Sequence, residues 1–303
     1  MYSDIPAHAY QFNFANNPNW SRFYAEGGEI HEYLKDVAWK YDVEKYVRFR
    51  HRFESAEWNE TDHKWIITLK DLETQQVKID IADVLLKGTG NLNQWDWPEI
   101  PGLHDFQGPY MHSAKWDETF DWTDKTVALL GAGSSGIQIL PKIQPKAKRV
   151  VHFVRNKMWI SPVGVSKDEP DNVIHTEEQK NLFAEDPGAY LAYRHKIEAG
   201  INQVALVTMR DTEIQKHFWT LCQASMKEKL KKKPWLYEAM CPGSAYPPGC
   251  RRITPGPGYL EALVEDNVEV VNTGVSRVTE TGLYDDNGDF HEVDAIIYAT
   301  GFN

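Results

Sequence analysis

Residues 126–140 read TVALLGAGSSGIQIL. The apolar run Val127–Leu130 has the length and aliphatic content of a buried strand. Behind it, Gly131, Gly133 and Gly136 stand in G-x-G-x-x-G register. SSGIQILPKI (134–143) then starts a helix, and KRVVHFVRN (148–156) is the next strand. Strand, glycine turn, helix and strand make a β-α-β unit, which packs into a parallel sheet.

Each glycine has a physical task in that setting. The first permits the tight turn, the second lets a pyrophosphate approach the backbone, and the third lets helix and strand pack closely. The helix N-terminus, with Ser134, Ser135 and Gln138 in its first turns, offers free N–H groups and the positive end of a dipole to phosphates. With 20 glycines in 303 residues, the motif is expected by chance about 0.09 times. The pattern therefore predicts a dinucleotide site. An acid at the end of the second strand would accept a ribose 2′-hydroxyl and favour NAD. Arg155 and Lys157 stand there instead. A cation suits a 2′-phosphate, so the expected nucleotide is NADP.

Upstream, GEIHEYLKDVAWKYDV (28–43) repeats apolar residues Ile30, Tyr33, Leu34, Val37 and Ala38 at helical spacing. RFRHRFESAEW (48–58), KWIITLKD (64–71) and QVKIDIADVLL (76–86) alternate like strands of a meander. KGTGNLNQWDWPEIPGL (87–103) is a linker by composition. Downstream, TEEQKNLFAED (176–186), AYRHKIEAGINQVALVTMRD (192–211) and QASMKEKLKKKPWLYEAM (223–240) predict a helical insertion at about 165–240. Residues 268–303 predict two or three strands, with DDNGD (285–289) as a hairpin turn.

Composition narrows the function classes. The net charge of −11 argues against a general nucleic-acid binder, which needs a basic face. The KEKLKKK run (227–233) reads as a solvated helix face. No apolar run approaches the length of a membrane span, and MYSDIPAHAY lacks signal-peptide features. Cys222, Cys241 and Cys250 match no zinc spacing, so no metal is expected. They read as free thiols in a reducing compartment, the cytoplasm.

Phe106, Gly108, His112 and Trp116 fit F-x-G-x-x-x-H-x-x-x-W just before the glycine turn. That arrangement is expected by chance about once in a thousand such chains. It resembles the fingerprint of type I Baeyer–Villiger monooxygenases, FAD- and NADPH-dependent enzymes that insert one oxygen atom next to a ketone to give an ester or lactone. The resemblance covers essentially the whole chain. SDIPAHAYQFNF (3–14) is similar to the family's Asp-hydrophobic-Pro segment beside the flavin, CRRITPGPGYLEAL (250–263) to the segment carrying its active-site arginine, and IIYATGF (296–302) to its second interdomain linker.

The resemblance implies an α/β fold: a Rossmann-like NADP-binding domain plus an incomplete FAD-binding domain with a β-meander and a helical insertion. Residues 1–118 would be the partial FAD domain and first linker. Residues 119–275 would be the NADP domain, and 276–303 a return to the FAD domain. Arg252 aligns with the catalytic arginine, which stabilises a negatively charged flavin peroxide and its adduct with the ketone. Asp4 aligns with the acid that pairs with it. Arg251 would join Arg155 at the 2′-phosphate, and His112 would be a hinge residue. The substrate would be a small-molecule ketone, as in secondary metabolism.

One departure from the family pattern is plain. The family's first G-x-G-x-x-G, which holds FAD, is absent, and no glycine precedes Gly27. The FAD site is therefore expected to be incomplete, and unpaired strand edges at the rim of a cropped domain would invite homo-oligomerisation. Two alternatives stay open here. The chain is a short homologue that lost flavin chemistry and works as an isomerase, cyclase or dehydratase, or it is a non-catalytic NADP-binding partner of another subunit.

Overall fold

The structure is a computed structural model and describes residues 3–162, 173–251 and 254–302. Two compact units are present: His31–Gln94, and Met1–Ile30 with Trp95–Asn303. Helix α1 (Gly27–Lys40) crosses the boundary and buries Tyr33 and Val37, while Leu34 of the expected stripe is exposed.

The smaller unit carries the expected meander. Strands β1 (His51–Asn59), β2 (Lys64–Asp71) and β3 (Val77–Ala82) pair antiparallel in sequence order. Asp71 ties its last turn. It accepts the backbone N–H groups of Glu73 and Thr74 at 3.0 and 3.1 Å and the Lys78 ammonium at 2.8 Å. The Lys78 bond, first among these, holds its carboxyl well below the usual carboxylate range.

The larger unit is built on a five-stranded parallel sheet. In chain order it contributes β4 (Tyr110–His112), β5 (Thr126–Leu130), helix α2 (Ser134–Ile143) and β6 (Arg149–Phe153). A short strand β7 (Ile160–Ser161) follows, then helices α3 (Glu177–Glu185), α4 (Pro187–Ala205), α5 (Glu213–Lys229) and α6 (Trp235–Met240). Next come β8 (Thr254–Pro255), which pairs with β7, helix α7 (Tyr259–Leu263) and β9 (Val268–Val271). Strands β10 (Val275–Thr279), β11 (Gly282–Asp285) and β12 (Phe290–Glu292) form an antiparallel ribbon. The last strand is β13 (Ala295–Tyr298). The sheet order is β4-β13-β5-β6-β9.

Residues 268–298 thus hold five strands rather than two or three. Each is three to five residues long, too short for alternation to show in a sequence window. The family resemblance divides the chain at residues 118 and 275; strands β4 and β13, which lie outside those bounds, pair in the same parallel sheet as β5, β6 and β9, with β13 between β4 and β5.

Both faces of the sheet are covered, as a parallel sheet requires. Val127 and Leu129 pack with α2, α5, α6 and α7 in one core. Ala128 and Leu130, on the opposite face, pack with Phe106, Tyr298 and the ribbon residues Val278 and Leu283. His152 of β6 is wholly buried. Its Nδ1 lies 3.1 Å from the Leu129 carbonyl, so Nδ1 carries the proton, and Nε2 accepts from the Tyr259 hydroxyl at 2.9 Å. Burial pushes its pKa down to about 4, so it is a neutral strut of the core.

Helix starts follow their capping residues. Thr176 and Gln179 form a reciprocal capping box at α3, and Asp186 caps α4 ahead of Pro187. No helix of the described residues is long and apolar enough to cross a membrane.

Candidate functional site

The exits of β4, β13, β5 and β6 lie side by side along the sheet's C-terminal edge, because all are parallel and in register. From β5 the chain winds through α2 to β6 and on to β9, while β13 and β4 lie on the other side of β5. The crevice between β5 and β13 is therefore the point where the winding reverses. Ligands of open parallel sheets bind at that position.

The three glycines meet different constraints there. Gly131 has φ +103°, and a Cβ on it would stand 2.4 Å from the Ala299 carbonyl at the exit of β13. A Cβ on Gly136 would stand 2.0 Å from the Gly131 carbonyl, so helix and turn touch only because Gly136 lacks a side chain. Gly133 differs. Its φ of −71° suits any residue, and a Cβ on it would meet nothing within 4 Å. The fold does not need that glycine, but a ligand backed against the turn would. Gly133 is also the N-cap of α2 and gives no side-chain cap, so the first N–H groups of the helix are without a cap among the described residues. Ser134 and Ser135 are half-buried in that first turn, and the Ser134 hydroxyl lies 3.5 Å from that of Thr254 in β8. Gln138 is half-buried one turn further on.

Beyond β6, Arg155 is exposed and makes no hydrogen bond or ion pair among the described residues. Lys157 is engaged: its ammonium donates to the Glu238 carbonyl of α6 at 2.7 Å. Arg251 is exposed and lies over the Tyr246 ring, 5.0 Å from its centroid. Arg252 lies outside the described residues. Asp4 is half-buried in the turn before the buried Pro6, Ala7 and His8.

The F-x-G-x-x-x-H-x-x-x-W residues join the site from the β4 side. Phe106 is buried in the core. A Cβ on Gly108 would come 2.6 Å from the Asp294 carbonyl, so the glycine lets the chain pass the entry to β13. His112 ends β4 beside Tyr298, fully buried, with its ring stacked on Trp95 at 4.4 Å and 4°. Its Nδ1 accepts from the Ala114 N–H at 3.1 Å. Its Nε2 is buried and closes no hydrogen bond among the described residues, and burial lowers its pKa against an opposing pull from the Gly301 backbone. Trp116 packs edge-on against Trp122.

One cluster had no sequence signal. His8 places Nδ1 3.0 Å from the Tyr190 hydroxyl and Nε2 3.1 Å from Nε2 of His175. Arg194 donates to the His8 carbonyl at 3.2 Å and to Asn16 at 2.6 Å. Burial, and then the proximity of His175 and Arg194, push the His8 pKa down to about 3. The cluster fastens the DIPAH segment to α4, and only contacts across more than 160 residues create it.

Residues 1–204 match the model of the FMO-like family, described as flavin-binding monooxygenase-like. The chain belongs to this family. Among its relatives is the FAD-binding monooxygenase tazF of Aspergillus terreus, 39% identical over 304 residues, covering 99% of this chain and 53% of the relative. The Baeyer–Villiger monooxygenase of Streptomyces coelicolor is 32% identical over 308 residues, covering 99% of this chain and 55% of that one. The structure of cyclohexanone monooxygenase from Rhodococcus sp. Phi1 bound to NADP+ superposes with a TM-score of 0.76 at 23% identity, over 100% of this chain and 62% of that one. This flavin-binding monooxygenase-like chain shares that fold, and it spans about half the length of the curated relatives it matches.

Proposed function

We propose that this monooxygenase-family chain binds NADP(H) across the Gly131–Gly136 turn and serves a Baeyer–Villiger reaction, with FAD as second cofactor and a ketone as substrate. The observation that carries the reading is the clear space at Gly133, above an uncapped helix N-terminus at the reversal point of the sheet. A pyrophosphate there would accept N–H bonds from Ser134, Ser135 and Gly136 and gain from the helix dipole. Arg155, free of partners among the described residues, and Arg251 would hold the 2′-phosphate.

FAD, when bound, would take a hydride from NADPH and supply activated oxygen. Arg252 would keep its proton at any working pH and so hold negative charge near the reacting oxygen without quenching it. Asp4 would orient that arginine. The glycine motif occurs once in the 303 residues and is assigned to NADP, so the residues that grip the FAD pyrophosphate are not among those named here. The relatives' printed names support FAD and the Baeyer–Villiger class.

The test is calorimetric titration of the chain with NADP+ and NAD+, followed by a search for ester or lactone from cyclic ketones with NADPH, O₂ and FAD supplied. Tighter NADP+ binding and NADPH-dependent oxygen insertion are expected. Equal affinity for the two nucleotides would overturn the NADP assignment, and NADPH oxidation without ester formation would overturn the Baeyer–Villiger one.

A further inference from the structure

The helices between β7 and β8 hold the loop that presents Arg251, and one aromatic ring joins that loop to the exit of β6. Tyr246 donates its hydroxyl proton to the Lys157 carbonyl at 2.6 Å. Its own carbonyl accepts the indole N–H of buried Trp159 at 2.9 Å. The Arg251 guanidinium rides on the Tyr246 ring. Buried Gln215 of α5 donates to the carbonyls of Val207 and Pro248 at 3.0 and 3.2 Å. Gly249, at φ +94°, passes so close that a Cβ would stand 2.6 Å from the Val207 carbonyl. The loop is thus fixed at three points before Arg251 leaves it. Lys157, the other cation after β6, is spent on the Glu238 carbonyl.

We propose that Tyr246 is a positioning residue for recognition of the 2′-phosphate: it holds Arg251 beside the exit of β6, so that the extra phosphate of NADP meets two guanidinium groups, Arg155 and Arg251, instead of one. The inference rests on the NADP reading above. A guanidinium held over a ring by the cation–π attraction keeps N–H groups for a phosphate. The contact also restricts a long side chain before the ligand arrives, which reduces the entropy lost on binding.

The test uses two probes that differ only in the 2′-phosphate, adenosine 2′,5′-bisphosphate and adenosine 5′-monophosphate, titrated calorimetrically into the purified chain. Tyr246→Leu is expected to weaken the bisphosphate about fivefold and leave the monophosphate unchanged. Tyr246→Phe, which keeps the ring, is expected to retain most of the discrimination, so a folding defect in the Leu variant does not decide the question. Tyr246→Leu added to Arg251→Ala is expected to have no further effect, because the tyrosine acts through the arginine. Wild-type discrimination in Tyr246→Leu, or equal weakening of both probes, would overturn the positioning role. A wild-type chain that does not distinguish the probes would instead overturn the NADP reading, and the role of Tyr246 with it.

Discussion

Replacing the three glycines of the turn one at a time by alanine separates what the fold needs from what the ligand needs. At Gly131 an alanine would be held at φ +103° with its Cβ 2.4 Å from the Ala299 carbonyl. Strain of that kind costs on the order of 1–3 kcal/mol before the steric conflict is relieved. At Gly136 the Cβ would stand 2.0 Å from the Gly131 carbonyl, so α2 must move off β5 and loosen a well-packed core. Either variant should lose about 2–3 kcal/mol, which for a chain of this size lowers the melting temperature by roughly 3–5 °C. Gly133→Ala meets no atom and keeps an allowed φ, so its apo protein should melt within about 1–2 °C of wild type. Its Cβ would enter the space proposed for the pyrophosphate, and NADP+ affinity should fall at least about tenfold, or 1.4 kcal/mol. Scanning calorimetry of the apo proteins and titration with NADP+ read the two effects separately. If Gly133→Ala binds NADP+ like wild type, the space above the turn is not the nucleotide's. If it melts as low as Gly136→Ala, the geometric reasoning itself is wrong.

Other outcomes follow from the same contacts. Arg155→Ala should weaken NADP+ about tenfold and leave NAD+ unchanged, because the proposed bond is charge-assisted and would reach only the 2′-phosphate; parallel weakening of both nucleotides would refute it. His152 and His8 are held neutral, at about 4 and about 3 against an ordinary 6.5. The unfolded chain takes up protons below pH 6.5 and the folded chain does not, so their contribution is intact above that pH and shrinks as pH falls toward 4. For His152 the loss by pH 4 is roughly 3 kcal/mol. Urea unfolding at stepped pH should show a shallower decline for His152→Gln than for wild type, and an identical slope would exclude the assignment. Tyr190→Phe removes a hydroxyl that donates to the Asn17 carbonyl and is bonded to Gln11 and His8. It should cost about 1–3 kcal/mol and lower hydrogen-exchange protection in residues 7–23, where a uniform loss across the chain would contradict a local fastening.

Much of the sheet was readable because its signals are local. The β5 run, the glycine register and the α2 start lie within fifteen consecutive residues, and each depends on sterics of neighbouring groups. The meander was readable for the same reason: alternation and turn residues lie within one short segment. Other features were not. Strand β13 is four residues of plain apolar sequence, and nothing in AIIY says that it inserts between β4 and β5. Gly108 reads as part of a motif, yet its physical reason is the Asp294 carbonyl far along the chain. Lys157 and Arg155 look equivalent in VRNK, and only α6 shows that one of them is already bound.

By itself the sequence determined a parallel β-α-β unit with a glycine turn and a basic residue after its second strand. These follow from φ/ψ limits, side-chain periodicity and charge at neighbouring positions. The tertiary structure alone decided which strand exits share the crevice, that Gly133 is clear while Gly131 and Gly136 are not, and that Arg251 returns beside β6 on the face of Tyr246. The reason is that burying both faces of the sheet selects among many long-range pairings, and a choice made by packing leaves no trace in the spacing of residues along the chain.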